Sequence, residues 1–452
     1  MAGLSSPGIT SGLDVNSLVS QLVAAERAPA QNRLTKAGKK ADTTISALGS
    51  LRGALATLQT SIDGIKTAAA LQARKATSAD NTVVTAAATS SAAPGSYSVE
   101  VLALASAHKL VSAPYAGGST ATVGDGNLTI SVAGNAFTVA IAAGHGTLAE
   151  IRDAINAATD NSGVQATVIT ASDGARLALQ STKTGVAYAV RVTTSGGNGG
   201  LASLVYDPGT STQLTQQTAA ADASAKIDGF SVTSSTNSID AAIDGVSLSL
   251  ASAKPGTTVA VTVSNDTAAT TDKINKFVTD FNSAVKTMST LGRYDAATKT
   301  GGPLLGDAML RGIESSLRRE ATAKVSGASA PYDSLNAIGI TLKVDGTLQV
   351  DAAKLSTALN ANFTAIAGLF AGTSGVATRL ASLLDTSLRS DSALTTRSNG
   401  LQAQKKSLQT DQDALDARMA AVEARYRTQF TALDQMLATM QQTSDYLTKQ
   451  LG

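Results

Sequence analysis

The sequence of 452 residues contains no cysteine, no tryptophan and only two histidines. Disulfide bonds, thiolate metal sites and cysteine catalysis are therefore excluded. His108 and His145 stand apart from each other and from any zinc-binding spacing, so we interpret both as surface or loop residues. We expect neither a metal, nor a cofactor, nor a catalytic site.

Charge is also scarce and unevenly distributed. Charged residues make up 15% of the chain, below the roughly 25% of an average soluble protein. Between Thr77 and Thr270, seven Lys and Arg stand against thirteen Asp and Glu, a net of −6; the whole chain is +2, so the two flanks together carry +8. The flanking cations alternate with acids on predicted helices and lack aromatic neighbours, which favours solvated coiled-coil faces over nucleic-acid binding.

Long apolar runs are missing as well. No stretch of about eighteen apolar residues is present, which argues against a membrane span. Residues 1–12 have neither the basic nor the apolar region of a secretory signal peptide. The protein therefore either stays inside the cell or is exported by a machine that needs no such signal.

Both ends of the chain show the spacing of amphipathic helices. The first helix is predicted to begin at Asp14, an N-cap, and Pro29 should break or kink it. An apolar stripe follows from Ile45 to Ile65, and Leu401, Leu408, Leu415 and Val422 recur at intervals of seven near the other end, before a stutter at Tyr426. Because a helix cannot bury such a stripe alone, the two ends should pair with each other or with neighbouring subunits.

The middle of the chain has the period of strands and contains one compact predicted module. Its parts, in order, are strands at 128–133 and 136–141 joined by the turn Gly134-Asn135, a helix opened by the capping box of Thr147 and Glu150, and strands at 164–169 and 177–180. Together they predict a two-layer ββαββ unit.

Segments after this module alternate between loops, strands and helices. Residues 196–200, which are glycine-rich, and residues 211–221 should form a flexible boundary; a phosphate-binding loop is disfavoured because no Gly-Lys-Ser/Thr follows. Further elements are predicted as strands at 246–250 and 259–263, helices from Asp266 and at 309–317 and 376–388, and a hairpin at 338–350 with a type I′ turn at Asp345-Gly346.

These patterns predict a multidomain α+β fold in which long N- and C-terminal helices pair into a helical bundle or coiled coil, with β-rich plate domains inserted between them. The predicted divisions are a coiled-coil leg (1–35 and 400–452), a helical bundle with a small hairpin (36–76 and 268–399), a β-rich plate domain (77–110 and 216–267) and an inserted plate domain with the ββαββ module (111–215). Conformational entropy should make the outermost segments, 1–29 and 426–452, marginal in a free subunit and ordered on assembly.

Several separated motifs resemble one family. Ser11-Gly12-Leu13-Asp14-Val15 and residues 18–29 closely resemble the opening of the bacterial flagellar filament cap proteins (FliD, or hook-associated protein 2), and residues 433–437 and 444–451 resemble that family's last helix. Residues 125–185 are similar to a repeat shared by hook-associated proteins and some flagellins. Residues 277–282 and 339–351 also fit, although Phe281 stands where Tyr is expected.

The resemblance implies a structural protein at the distal tip of the flagellum, beneath which exported flagellin folds and joins the filament. Implied partners are copies of the same chain in a ring, expected to be a pentamer, flagellin, hook-filament junction proteins, an export chaperone and the flagellar type III export apparatus. The protein would be secreted and extracellular, without a cleaved signal peptide, a membrane span, a nucleic acid or a cofactor. The resemblance also raises the expectation of an additional role in adhesion.

The resemblance and the apolar stripes together select candidate interface residues on the helical termini. We expect Leu18 and Leu22 to lie opposite the C-terminal residues. The full set is Leu13, Leu18, Leu22, Leu433, Leu437, Met440, Tyr446 and Leu447.

Three other functions remain as alternatives. Another axial protein, flagellin or a hook-filament junction protein, shares the helical ends, but the motif at residues 11–29 discriminates against both. A surface adhesin would use the plate domains. A surface enzyme would need paired carboxylates across a cleft, and scattered acids such as Asp173 and Asp207 show no such spacing.

Overall fold

The computed structural model describes residues 14–297 and 299–451 of the chain. These residues form two compact units. One contains the described residues up to Leu71 together with those from Thr270 onward, and the other is Gln72–Ala269. The second unit is therefore an insertion in the sequence of the first. The fold is α+β and multidomain with long helices at both ends, as predicted.

Helices dominate the first unit. Numbered along the whole chain, they are α1 (Val15–Asp63), α2 (Ala68–Leu71), α3 (Leu148–Ala157), α4 (Thr267–Gly292), α5 (Ala308–Thr322), α6 (Ala352–Ala361), α7 (Phe363–Ala371), α8 (Val376–Leu388) and α9 (Ala393–Leu451). In the part of the chain that the structure describes, none of them is both long and apolar enough to cross a membrane.

The strands are short and mostly belong to the second unit. They are β1 (Arg74–Ser78), β2 (Val84–Ala88), β3 (Gly95–Ala103), β4 (Ala107–Val111), β5 (Gly126–Val132), β6 (Asn135–Ile141), β7 (Val164–Ala171), β8 (Gly174–Thr184), β9 (Arg191–Ser195), β10 (Tyr206–Asp207), β11 (Ser211–Thr212), β12 (Thr215–Thr218), β13 (Ala223–Ile227), β14 (Phe230–Ser234), β15 (Ser238–Ile243), β16 (Val246–Leu250), β17 (Val259–Asn265), β18 (Tyr294–Asp295), β19 (Thr300–Gly301), β20 (Ile340–Leu342) and β21 (Leu348–Val350).

The core of the helical unit is built on the C-terminal half of α1. The predicted apolar stripe is confirmed, since its members from Leu48 to Ile65 are all buried, and only Ile45 is partly exposed. These side chains form one cluster with residues of α4, α5, α7 and α8. Within it, the rings of Phe277 and Phe370 meet edge to face with their centroids 6.2 Å apart.

The start of α1 follows the prediction, whereas a break at Pro29, one of the two predicted outcomes, is absent. The carboxylate of Asp14 accepts a hydrogen bond from the backbone N–H of Ser17 at 3.0 Å, as expected of an N-cap. The helix then continues through Pro29 without a break. A proline inside a helix costs about 3 kcal/mol, and contacts from Arg27 and Gln31 to α9 lie on both sides of it. Pairing between distant segments offsets the local cost.

The hairpin β20–β21 lies where it was predicted, but its turn is not type I′. That turn needs positive φ at both central residues, and of Asp345 and Gly346 only the glycine has it, at 85°. The N–H of Gly346 donates to the carbonyl of Lys343 at 3.0 Å. The carboxylate of Asp345 accepts from the N–H of Thr347 at 3.0 Å, so a side chain helps to close the loop.

The inserted unit contains two separate cores. Sheets ordered β1-β17-β3-β13-β14 and β15-β16-β2 enclose one core, to which residues between Val83 and Ala105 and between Ala223 and Val263 contribute. Sheets ordered β11-β10-β9-β5-β6 and β12-β4-β8-β7 enclose the other, formed by residues between Leu110 and Leu214. Every pairing within these four sheets is antiparallel.

The predicted ββαββ elements are all present, but their two hairpins lie in different sheets. The first hairpin, β5–β6, turns at Ala133-Gly134, with φ of 50° and 81°, and not at Gly134-Asn135. The capping box at the start of α3 is confirmed, because Thr147 and Glu150 each bond the other's backbone N–H through their side chains. The hairpins face each other across one shared core, which α3 also joins.

The predicted flexible boundary is wrong. A Cβ on Gly197 or Gly200 would lie within about 2 Å of a backbone carbonyl, that of Asp125 or Val123 respectively, so these glycines permit close backbone packing. Asn198 fastens the same segment, since its N–H donates to the carboxylate of Asp125 at 2.8 Å. Residues 211–221 supply strands β11 and β12. Small residues here indicate tight contact and not a linker.

We expect Phe277→Ala to destabilise the helical unit by about 3–5 kcal/mol, because the ring is fully buried and its removal leaves a cavity. Urea unfolding followed by the helical circular dichroism signal measures the change. Lys286→Ala, on an exposed position of the same helix, should stay within about 0.5 kcal/mol of wild type. Equal stability of the two variants would contradict the packing described.

Candidate functional site

The two ends of the described chain form an antiparallel pair of helices, which we call the leg (residues 15–44 of α1 and 402–451 of α9). Gln31 contacts Gln412 and Asp42 contacts Lys405, so numbers rise along one helix as they fall along the other. The leg has its own small core. Buried residues of α9 pack there against partly buried ones of both helices: Leu415, Met419 and Val422 with Val23, Ala30, Leu34 and Tyr426.

Polar contacts fasten one side of the leg. The amide groups of Gln31 and Gln412 exchange hydrogen bonds at 2.8 and 2.9 Å. Arg27 forms an ion pair with Asp416, and Lys405 reaches Asp42 at 2.7 Å. Exposed ion pairs contribute little free energy, about 0–1 kcal/mol each. Their main effect is therefore to set the register of the two helices.

The seam of α1 is one continuous series that was only partly predicted. Its members are spaced three, four or seven residues apart. From Ile65 toward the start of the helix they include Leu48, Ala41, Leu34, Ala30, Val23 and Val19. Val19 is buried. The prediction instead selected Leu18 and Leu22. The heptad spacing of the sequence could have revealed this seam. Alanines and a buried threonine, Thr44, continue that spacing through the leg.

The predicted interface residues do not lie in the core of the leg. Leu13 lies outside the described residues, while Leu18 and Leu437 are partly buried. The remaining five are 41% to 64% exposed: Leu22, Leu433, Met440, Tyr446 and Leu447. The structure therefore brings the two helices together through other residues and leaves most of this set at the surface.

The end of α9 presents an open apolar face. Arg27 contacts Asp416, and Glu26 contacts Tyr426. Counting back from these contacts to Asp14, with one residue of α9 for each residue of α1, places Asp14 opposite residues between about 429 and 438. The last turns of α9 extend past that point. Met436, Met440 and Leu447 line this face together with short hydroxyl side chains. Apolar patches of this kind mark contact surfaces for other molecules.

The two acids considered for catalysis are engaged by arginines. Arg176 donates hydrogen bonds to Asp173 and lowers the pKa of that carboxyl below its usual value. Arg191 does the same for Asp207, donating at 2.8 Å. A general acid needs a raised pKa, so both shifts run against that role. Among the described residues, no cluster of His, Asp and Glu could hold a metal ion.

The two histidines have different surroundings. His145 is exposed, as predicted, and its Nδ1 lies 3.0 Å from Glu150 of the capping box. His108 is buried, so its interpretation as a surface or loop residue is wrong. Its Nδ1 accepts a hydrogen bond from the N–H of Val190 at 2.9 Å, and its ring lies 5.4 Å from that of Tyr206. Burial lowers the pKa of His108 below 6.5, although a hydrogen bond with Gln216 opposes the shift.

Three family models match the chain. They are described as the N-terminus of flagellar hook-associated protein 2, matching residues 11–108, the C-terminus of the same protein, matching 220–442, and the flagellin hook IN motif, matching 127–183. The chain is 34% identical to the B-type flagellar hook-associated protein 2 of Pseudomonas aeruginosa, covering 100% of this chain and 98% of that one. It is 32% identical to flagellar hook-associated protein 2 of Escherichia coli, with the same coverage.

A solved structure is similar over most of the fold. The crystal structure of the D1-D2-D3 domains of the flagellar cap protein FliD from Escherichia coli superposes with a TM-score of 0.70 at 30% sequence identity. The match covers 79% of this chain and 99% of that one.

We expect stability of the inserted unit to fall as the pH decreases below about 7 toward 5. The unfolded chain binds a proton at His108 near pH 6.5, whereas the folded-state pKa is lower, so unfolding takes up a proton in this range. His108→Gln should flatten this pH dependence of stability, measured by urea unfolding followed by the circular dichroism signal of the strands. His145→Gln, an exposed control, should not flatten it. An unchanged slope in His108→Gln would contradict the assignment.

Met419→Glu should separate the leg while the bundle stays folded. A carboxylate at this buried seam position loses its hydration without gaining a partner, which costs several kcal/mol. Hydrogen exchange should then accelerate in residues 15–34 and remain unchanged in α4. Ala421→Glu, exposed on the same helix, is the matched control and should leave the exchange of residues 15–34 as in wild type. Slow exchange there in Met419→Glu would show that the seam does not hold the leg.

Proposed function

The chain belongs to the flagellar hook-associated protein 2 (FliD) family and is a flagellar cap protein, and we propose that it works as a scaffold at the distal tip of the filament. In this proposal the inserted unit forms a plate with the same unit of other copies, in a ring of five. The leg reaches the filament end, where newly exported flagellin folds and adds to it. Closing the tip also prevents the loss of exported flagellin.

The open apolar face at the end of α9 is the observation that supports this proposal. Its methionine and leucine side chains remain exposed although the same helix buries Leu415, Met419 and Val422 farther back. Each exposed side chain could contribute about 1.5–3 kcal/mol if a partner covered it. We infer that flagellin or the hook-filament junction proteins cover this face, with the predicted set (Leu13, Leu18, Leu22, Leu433, Leu437, Met440, Tyr446, Leu447) at or near the contact.

Export explains how such a protein reaches the filament tip. We propose that the chain is a substrate of the flagellar type III apparatus, escorted by an export chaperone, and acts outside the cell. The absence of cysteine suits passage as an unfolded chain, because no disulfide could block it. No part of this proposal requires catalysis.

Deletion of the gene in its host tests the function directly. We expect short or absent filaments, loss of swimming, and flagellin in the culture medium, and external addition of the purified protein should restore filament growth. Normal filaments in the deletion strain would remove the capping role.

Met440→Asp tests the contact face in the same strain. A charge at this exposed position should leave the subunit folded but oppose burial of the face, so complementation should fail or filaments should be short. Gln442→Asp introduces the same charge on another side of the helix and should complement fully. Circular dichroism of both purified variants shows whether folding is intact, and full complementation by Met440→Asp would refute the role of this face.

A further inference from the structure

The leg has a second unoccupied surface, on the side opposite its polar contacts. Arg27, Gln31 and Asp42 face α9 on one side of α1 and carry the contacts described above. The other side forms a groove of about 550 Å³ between the helices. Its floor is apolar and mostly half-buried, and consists of Ala30, Leu34, Ala37, Leu408 and Leu415.

The spacing of the floor residues is that of a helix-binding surface. Residues 30, 34 and 37 share one face of α1, as 408 and 415 share one face of α9. The floor spans about 7 residues of each helix, or about 10 Å. A pair of helices that is polar on one side and apolar on the other leaves room for a third helix, packed ridge into groove.

The rim of the groove carries more basic than acidic side chains. Arg33 lines it on α1, and Asp411 and Arg418 line it on α9. Lys40 and Arg425 lie about two helical turns farther along the same faces as Arg33 and Arg418, respectively. Among the described residues, Arg33 and Arg418 form no ion pair. Across the paired segments 26–42 and 405–427 together, ten Lys and Arg stand against six Asp and Glu, a net of +4.

We propose that this groove binds an amphipathic helix of a partner protein whose apolar stripe is flanked by Asp or Glu. The floor would receive the stripe, and Arg33 and Arg418 would face the acids. The sign of the charge distinguishes this partner from a second copy of the chain, because the same section of another leg would bring a like charge of +4. The groove lies away from the open end of α9, and the inference does not depend on the capping proposal.

Binding of designed peptides to the purified full chain tests the inference. One peptide of about three heptads carries a leucine stripe flanked by Glu, and its mate carries Lys at the same flanking positions. Fluorescence anisotropy should show the Glu peptide binding at least about tenfold more tightly, which corresponds to about 1.4 kcal/mol. The preference should shrink at high salt, because exposed charges are screened. Equal affinity for the two peptides, or no binding of the Glu peptide, would overturn the proposal.

Charge-reversal variants separate the groove from overall charge. Arg33→Glu with Arg418→Glu should abolish or invert the preference for the Glu peptide. Lys39→Glu with Lys406→Glu makes the same change in net charge at exposed positions that point away from the groove, and should keep the preference. If both double variants lose it equally, the attraction is non-specific and the proposal fails.

Two further experiments test the apolar floor of the groove and the identity of the molecule that binds there. Ala37→Phe fills the groove and should weaken binding of the Glu peptide, while the helical circular dichroism signal of the protein stays unchanged. Unchanged affinity in this variant would overturn the groove as the binding site. Sedimentation of the wild type without peptide tests the other occupant, and self-association that Arg33→Glu with Arg418→Glu removes would assign the groove to a second copy instead.

Discussion

The long apolar seam of α1 is the constraint on which the rest of this structure depends. In a helix of 49 residues with one apolar stripe, most of the free energy that offsets the ordering of the backbone has to come from burying that stripe against another element. The first part of the seam is covered by α9, and the later part by the helices of the bundle. Because α1 and α9 stand at opposite ends of the described residues and pack together, the residues between Leu71 and Thr270 form an insertion.

The leg is asymmetric in a way that suits a protein made to contact others. Amide and charged groups set the register on one side, while the other side and the end of α9 keep apolar surface in water. Such surface adds no stability to a free subunit and contributes favourable free energy only when a partner removes it from water. An assembly protein can therefore be stable in the bundle and completed in the leg by its neighbours.

The inserted unit shows how small residues build specific structure. Gly197 and Gly200 let two backbone segments touch, and a Cβ at either position would collide with a carbonyl oxygen. His108 joins β4 to the segment before β9 through the N–H of Val190. The carboxylates of Asp173 and Asp207 are paired with arginines. This unit relies on close packing and hydrogen bonds, in keeping with the low fraction of charged residues in the chain.

Local patterns in the sequence determined much of this protein. The stripe of α1, the N-cap at Asp14, the capping box of Thr147 and Glu150, and the positions of the hairpins all follow from contacts within a few residues, which a sequence displays directly. The family motifs likewise identified a flagellar cap. Only the tertiary structure decided the course of α1 through Pro29, the burial of His108 and Val19, the sheet that each hairpin joins, and which leucines remain exposed. Those outcomes depend on the free energy of contacts between segments hundreds of residues apart, and that energy can exceed any local preference.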